Sequence, residues 1–346
     1  MKTLLIKEPN QMYSRYSEGS MLELDNGRIF FAYTRFEDED DDNAPAEIVA
    51  CYSDDQGKVW SEEEVVIERE GTANVMSVSL LKLTTGEILF FYVLKNSLND
   101  CKLYVRSSMD NLKTLGPRVC ATPHEGYHVI NNDRVIQLSS GRILVPTAYH
   151  YCLDATYDTW DPHAIALCFY SDDHGNTWHQ AEQGLIASYA IPSGFQEPGV
   201  VELSDGKVYM WMRTDVGCQF ESVSGDGGQT WSEGKPSTII SPLSPASIKR
   251  IPWNNELLLV FNDHSGTHPF IKNRRTPLCV ALSKNNAKSW SKSKVIDKEP
   301  MGWYCYTSIF FLKDRVLLSY CAGDNKVGLL NRLKVISVSK DWLDKI

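Results

Sequence analysis

Residues 195–231, FQEPGVVELSDGKVYMWMRTDVGCQFESVSGDGGQTW, read as one complete unit of a repeat. The pattern predicts a short apolar strand over Gly199–Leu203, a turn at Ser204-Asp205-Gly206 and a second strand over Lys207–Met212. A third strand, Gln219–Ser224, runs into Ser-Gly-Asp-Gly-Gly-Gln-Thr-Trp. Apolar and β-branched residues suit buried strands, while Asp-Gly and Gly-Gly supply the turns. Glu197, just before the first strand, and Arg213, at the end of the second, exceed what a strand needs. In a three-strand meander these two positions share one end of the sheet, and chemistry is expected there.

Outward from this unit the chain repeats. The pattern S-x-D-x-G-x-x-W recurs at Ser53–Trp60, Ser171–Trp178 and Ser224–Trp231, more weakly at Ser283–Trp290, and in degenerate form from Ser107 and Ser337. These starts lie 54, 64, 53, 59 and 54 residues apart. A strand–turn–strand pattern, L-x-x-G-[RKE]-[IVL], repeats out of phase at Leu24–Ile29, Leu83–Ile88, Leu138–Ile143 and Leu203–Val208, with looser copies at Ile251–Leu257 and Leu312–Val316. Six copies of each, about four short strands per unit and no helical period predict an all-β, six-bladed β-propeller. The expected domain is single, residues 1–346, with Thr3–Ile6 supplying the outer strand of the last blade and closing the ring.

Composition narrows the partners. A 42% hydrophobic and 11% aromatic chain can fill a sizeable core. A formal net charge of −9 argues against nucleic acid or an anionic membrane as the main partner, yet leaves room for a small anion held by local arginines. No stretch is long and apolar enough for a signal core or a membrane span; a cytoplasmic protein is expected, or a periplasmic or secreted one if a leader precedes Met1. The nine cysteines lack C-x-x-C spacing and read as free thiols in strands. The histidines are too dispersed for a metal cluster, so no metal and no cofactor are expected.

In a radial meander the entrance to the first strand and the loop between the second and third strands share one face. That face is expected to gather Arg15, Glu18, Arg35 and the acidic loop Glu37–Asp42, then His128, Asn131–Arg134 and His150. Glu197, Arg213, Asp263, Arg275 and Tyr306 complete a polar ring around a central mouth.

The S-x-D-x-G-x-x-W pattern resembles the Asp-box (BNR repeat) of the sialidase, or neuraminidase, superfamily, and the resemblance covers the whole chain. It implies that the boxes are structural turns between third and fourth strands, remote from the active site, with the box Trp packed between blades. EPGVVELSDGKVYMWMR resembles the stretch that carries that family's catalytic Glu and second arginine, giving Glu197 and Arg213. RTPLCVALS resembles the third-arginine motif (Arg275), and CYTSI the motif of the nucleophilic Tyr (Tyr306). Arg15 matches the first arginine by position, although the Ile-Pro that follows it in the family is missing, and Glu18 is expected to brace it. DDNAPAEIVACYS sits where the acid/base Asp belongs, with Asp42 preferred. The wider substrate-binding set is Arg35, Glu18, His128, Asn132, Arg134 and Asp263.

The resemblance implies a glycoside hydrolase that releases a terminal acidic sugar with retention of configuration. Sialic acid carries a carboxylate on the carbon under attack, so a neutral Tyr, deprotonated by a Glu, avoids the repulsion a carboxylate nucleophile would meet. Two other readings stay open: an enzyme on another sugar acid, by hydrolysis or by elimination from a uronate, and a glycan-binding propeller without turnover.

Overall fold

The Leu-x-x-Gly turns close as their residues dictate. Leu24 N–H donates to the Arg28 carbonyl and Gly27 N–H to that of Leu24, each at 2.9 Å, with Gly27 at φ +80°, where a side chain would be strained. The box turns are knitted by side chains. Ser53 Oγ donates to Asp55 at 2.9 Å and accepts from Gly57 N–H, and the same Asp55 oxygen accepts the amides of Lys58 and Val59. Asp173, Asp226 and Asn285 repeat this pattern. In the second unit the turn starts at Ser108, not Ser107, because Ser108 Oγ meets Asp110 and Leu112 N–H. The last third strand likewise ends at Ser339 rather than Ser337, and the short helix Lys340–Leu343 replaces the turn.

The computed structural model describes residues 1–346 and is all-β apart from that helix and one 3-10 turn. Four sheets hold four strands each and a fifth holds nine. The first meander is Tyr13–Glu23, Ile29–Glu37, Ala46–Ser53 and Glu64–Ile67; the fourth is Gln196–Glu202, Val208–Arg213, Cys218–Ser224 and Lys235–Ile240. The fifth runs from Ser247–Arg250 to Lys294–Asp297. In the sixth, Trp303–Phe311, Arg315–Gly323 and Leu333–Ser339 take Lys2–Lys7 as their outer strand, with Thr3 opposite Ile336 and Leu5 opposite Val335. The nine-stranded sheet is the second and third meanders fused, because Gly126–Val129 pairs in parallel with Asp100–Ser108.

Each second strand is apolar on both faces, and its alternate residues enter opposite seams. Phe30 packs with Phe90 between the first and second meanders, whereas Phe31 packs with Leu317 between the first and sixth. Phe91 faces Phe169, Leu144 faces Met210, Trp211 faces Leu259, and Val260 faces Leu318. Burying one such side chain is worth roughly 1.5–3 kcal/mol. Trp60, Trp178 and Trp231 of the box turns join the same clusters. Register then separates the two ends of every meander. Val208 pairs with Ser224, at the box, and Gln196 pairs with Arg213 at the other end. All nine cysteines are free, and no helix is long and apolar enough to cross a membrane.

Candidate active site

Inner strands are bent to aim their side chains. Glu18, Ser77, Asp133, Glu197 and Tyr306 take φ values of +57°, +58°, +59°, +43° and +56°. The pairing register slips between Ser17 and Ser20, Met76 and Ser79, Gln196 and Gly199, and Cys305 and Ser308. A left-handed non-glycine residue costs of order 1–3 kcal/mol, and bulges re-aim side chains. Gly199 lets the bulge at Glu197 close, since a Cβ there would lie 2.1 Å from the Trp211 ring.

Four of these residues, Glu18, Ser77, Glu197 and Tyr306, line a cavity of about 430 Å³ at the end opposite the box turns. Arg213, Arg275, Asp42 and Asn131 add further polar groups, and Trp303 lies over the Arg275 guanidinium at 5.1 Å. One wall is apolar, formed by Met76, Val93, Tyr127, Val129, Ile130 and Trp160. Trp160 is held in place by stacking on His150, 4.6 Å between ring centres.

The Tyr306 hydroxyl donates to Glu197 Oε1 at 3.1 Å, and Arg213 Nη1 donates to Glu197 Oε2 at 2.5 Å. Burial and the Glu197 carboxylate push the Tyr306 phenol well above its ordinary value, against Arg275 and Arg213. Burial alone would raise Glu197, but Arg213 and Arg275 together hold it below the ordinary carboxylate value. Arg275 keeps its charge against burial through its neighbours, among them Tyr306 and Glu197. Arg275 Nε and Nη1, Arg213 Nε and Asn131 Nδ2 are buried without a partner. Buried donors of this kind are costly unless an acceptor meets them, and a carboxylate matches forked guanidinium donors best.

Arg15 differs from the other two arginines. It is 1% exposed and stands behind two carboxylates rather than on the cavity wall. Its Nη2 donates to Glu18 at 3.0 Å, Nη1 to Asp42 at 2.6 Å and to the Asp40 carbonyl at 3.3 Å, and Nε to Ser17 at 3.1 Å. Glu18 is therefore the brace expected of it, and it also accepts from Ser77. Arg213 and Arg275 line the cavity, while Arg15 stands behind Glu18 and Asp42 and is bonded to both carboxylates. At Asp42 desolvation works against the charge, yet Arg15 holds the carboxyl below the ordinary carboxylate value. The Asp42 backbone is fixed, its carbonyl accepting from Lys95 Nζ and Asn74 Nδ2 at 3.0 Å each. Its side chain remains 57% exposed.

Five expected substrate contacts lie elsewhere. Arg35 is spent on Glu47 and Glu63 and on the Tyr13 ring. His128 points away from Tyr127 and Val129, its strand neighbours on the cavity wall, and packs on Tyr149 and Phe169; burial takes its pKa down to about 4. Asn132 donates to the carbonyls of Gly19 and Tyr306 at 2.7 and 3.1 Å. Arg134, pushed down to about 10 by burial, donates to the Ala246 carbonyl at 2.6 Å and to Ser247 at 3.2 Å. Asp263 bonds Ser265 and Ser293 beside His268 and Cys279, whose ligand-type atoms lie within 4.8 Å of one another, away from the cavity. Ser77, Lys95 and Trp303 were missed by the sequence reading. Ser77 and Glu18 both stand six residues before the turn Leu of their unit, which is the signal that could have found Ser77.

Comparison with known proteins adds an independent line. Residues 20–318 match the family model of the BNR repeat-like domain. A sialidase of Micromonospora viridifaciens is 27% identical over 301 residues, covering 77% of this chain and 43% of that protein. An anhydrosialidase of Macrobdella decora is 39% identical over 188 residues, covering 51% of this chain and 22% of that protein. The chain therefore spans less than half the length of these curated relatives. Among solved structures, Trypanosoma rangeli sialidase in complex with sialic acid superposes with a TM-score of 0.74 at 17% identity, covering 100% of this chain and 59% of that one.

Proposed function

Because the chain belongs to the BNR repeat-like domain family of the sialidase superfamily, we propose that it is an exo-acting glycosidase that releases a terminal acidic sugar, sialic acid or a related ulosonic acid, with retention. The cyclic packing of the apolar seams supports a single domain over residues 1–346 in which the six meanders are the blades of a closed propeller. The observation that carries the functional reading is the buried Tyr306–Glu197 pair with Arg213 and Arg275 beside it on the cavity wall.

The substrate carboxylate binds Arg213 and Arg275 by forked hydrogen bonds. Its negative charge offsets the two arginines that hold Glu197 acidic, so Glu197 becomes a better base when the cavity fills. Glu197 takes the Tyr306 proton as the phenolic oxygen attacks the anomeric carbon, and the bond to the leaving oxygen breaks. Asp42 supplies the proton to that oxygen. For this it must leave Arg15, and the arriving carboxylate, which offsets the Arg275 charge that also holds Asp42 acidic, favours the change. Away from Arg15 and beside the substrate's charge, Asp42 regains its proton, so one binding event arms both base and acid. Water then cleaves the tyrosyl–sugar bond with Asp42 as base, restoring the configuration. A uronate elimination with a histidine base would fall to His150, which lines the cavity and is stacked on Trp160, since His128 is buried outside it.

Kinetics with a fluorogenic sialic acid glycoside tests the reading. Tyr306→Phe is expected to lower kcat by at least about a hundredfold while KM changes little, since the ring and arginines stay. Near-normal kcat in that variant would falsify the Tyr–Glu mechanism.

A further inference from the structure

We infer that the loop between Ile143–His150 and Ile165–Ser171 carries a leaving-group subsite, centred on Tyr157, for the neutral sugar next to the acidic one. It rests on the glycosidase reading, which fixes the side of the cavity by which the rest of the glycan departs. Asp42 delivers the proton to the leaving oxygen, so the leaving sugar lies against Asp42 and beyond it. Asn43, the next residue, donates to the Tyr157 hydroxyl at 2.8 Å, which stands the Tyr157 ring beside the acid loop. The same loop reaches inward with Trp160 and Pro162, both on the cavity wall, so rim and cavity form one surface.

Tyr157 and Leu153 are each 68% exposed, and Tyr151 is exposed as well. The loop that presents them is braced. Asp161 N–H donates to the Tyr151 carbonyl at 2.8 Å, Cys152 bridges to Trp160, and Asp154 accepts from Thr156 and Thr159. Neighbouring apolar side chains held in water do nothing for the fold, but a pre-ordered aromatic face offers contact to the C–H face of a pyranose at small entropic cost. Asp154, Asp158 and Asp161 on this loop repel a second anionic sugar, which selects a neutral one.

The test compares kcat/KM for two substrates, a trisaccharide in which the acidic sugar is joined to lactose and the methyl glycoside of the same acid. Tyr157→Ala is expected to lower the trisaccharide-to-methyl ratio roughly three- to tenfold, the scale of one aromatic contact. Tyr157→Phe, which keeps the ring and drops the tie to Asn43, is expected to restore the ratio. An unchanged ratio in Tyr157→Ala, including an equal fall on both substrates, overturns the subsite. If the wild type cleaves neither substrate, the glycosidase reading has failed, and saturation-transfer NMR of the trisaccharide decides the subsite alone. Saturation of the lactose protons, lost in Tyr157→Ala and kept in Tyr157→Phe, upholds it; saturation confined to the acidic sugar, or absent, overturns it.

Discussion

Glu18 is pulled in two directions. Burial pushes its carboxyl up to about 7, Arg15 opposes this, and Asp42 adds to the rise, with Ser77 and Glu197 also facing it. The folded-state value exceeds the ordinary one near 4.5, so between these two values the folded chain binds the proton more tightly than the unfolded chain. The Glu18 contribution to stability therefore falls as pH rises from about 4.5 to about 7, by on the order of 3 kcal/mol, and is flat on either side. Glu18→Gln removes this dependence. Thermal melts at pH 5 and pH 7 are expected to show the Tm advantage of wild type over Glu18→Gln shrinking toward neutral pH; an advantage that grows with pH would reverse the argument. Single residues also show where the sequence stops being legible. Tyr306, Glu197, Arg213 and Arg275 sit in local motifs, and their placement follows from strand ends. Arg35 and His128 reach the right end of their strands but the wrong face, because one residue of register flips a side chain across the sheet. The pairing of Asp42 with Arg15 joins a loop to a strand 27 positions away, and no local pattern encodes it.

At the scale of the element, two devices repeat and serve different ends. A left-handed residue falls six residues before the turn Leu in four units, at the bulges of Glu18, Ser77, Glu197 and Tyr306, and one residue later in the third, in the turn at Asp133. Superposing the repeats thus finds the cavity-facing position in those four units, while Asp133 is turned to inner-strand ties instead. The box turn lies at the far end of each meander and only stabilises. Asp226 accepts the amides of Gln229 and Thr230 and the hydroxyls of Ser224 and Thr230. Removing these with Asp226→Ala is expected to cost about 1–2 kcal/mol, the net worth of a few exposed hydrogen bonds to a charged acceptor. Urea titration measures the cost, and under the proposed glycosidase function kcat/KM of the folded variant should stay within twofold of wild type. A large loss of kcat/KM with unchanged stability would mean that the turn communicates with the cavity. Degenerate boxes were legible only in part: Leu112 and Leu115 stand where the pattern has Gly and Trp, so only Asp110, two residues after Ser108, marks the start that the Ser108–Asp110 hydrogen bond shows.

Across the whole molecule, the segment Asn131–Arg134 ties together meanders distant in sequence. Asn132 joins the first and sixth through Gly19 and Tyr306, and Arg134 reaches the fifth through Ala246 and Ser247. Asp133 does most. It accepts from Ser20 at 3.1 Å, from Lys249 Nζ at 2.7 Å and from Ile309 N–H at 2.9 Å, so one carboxylate links the first, fifth and sixth meanders to the third. The polar run NNDR thus reads as mouth chemistry in sequence, yet only Asn131 lines the cavity, and the work of Asn132, Asp133 and Arg134 is to hold inner strands in place. The pairing of Lys2–Lys7 with Leu333–Ser339 was legible, because a repeat count leaves one strand missing at the end and one spare at the start. A hub has no such arithmetic. Asp133→Ala removes the carboxylate from a buried pair and strands Ile309 N–H, and is expected to destabilise by about 3 kcal/mol, near the lower end for such pairs because Lys249 can turn toward solvent. Asp133→Asn keeps an acceptor for Ile309 and should lose less. Urea unfolding followed by fluorescence is expected to show a lower midpoint with an unchanged m-value for Asp133→Ala and a smaller shift for Asp133→Asn. Because Asn132 and Tyr306 share this network, kcat should fall in Asp133→Ala at temperatures where the variant is still folded, with Asp133→Asn recovering part of it. Equal midpoints for both variants and wild type would show that the inner strands hold without this carboxylate.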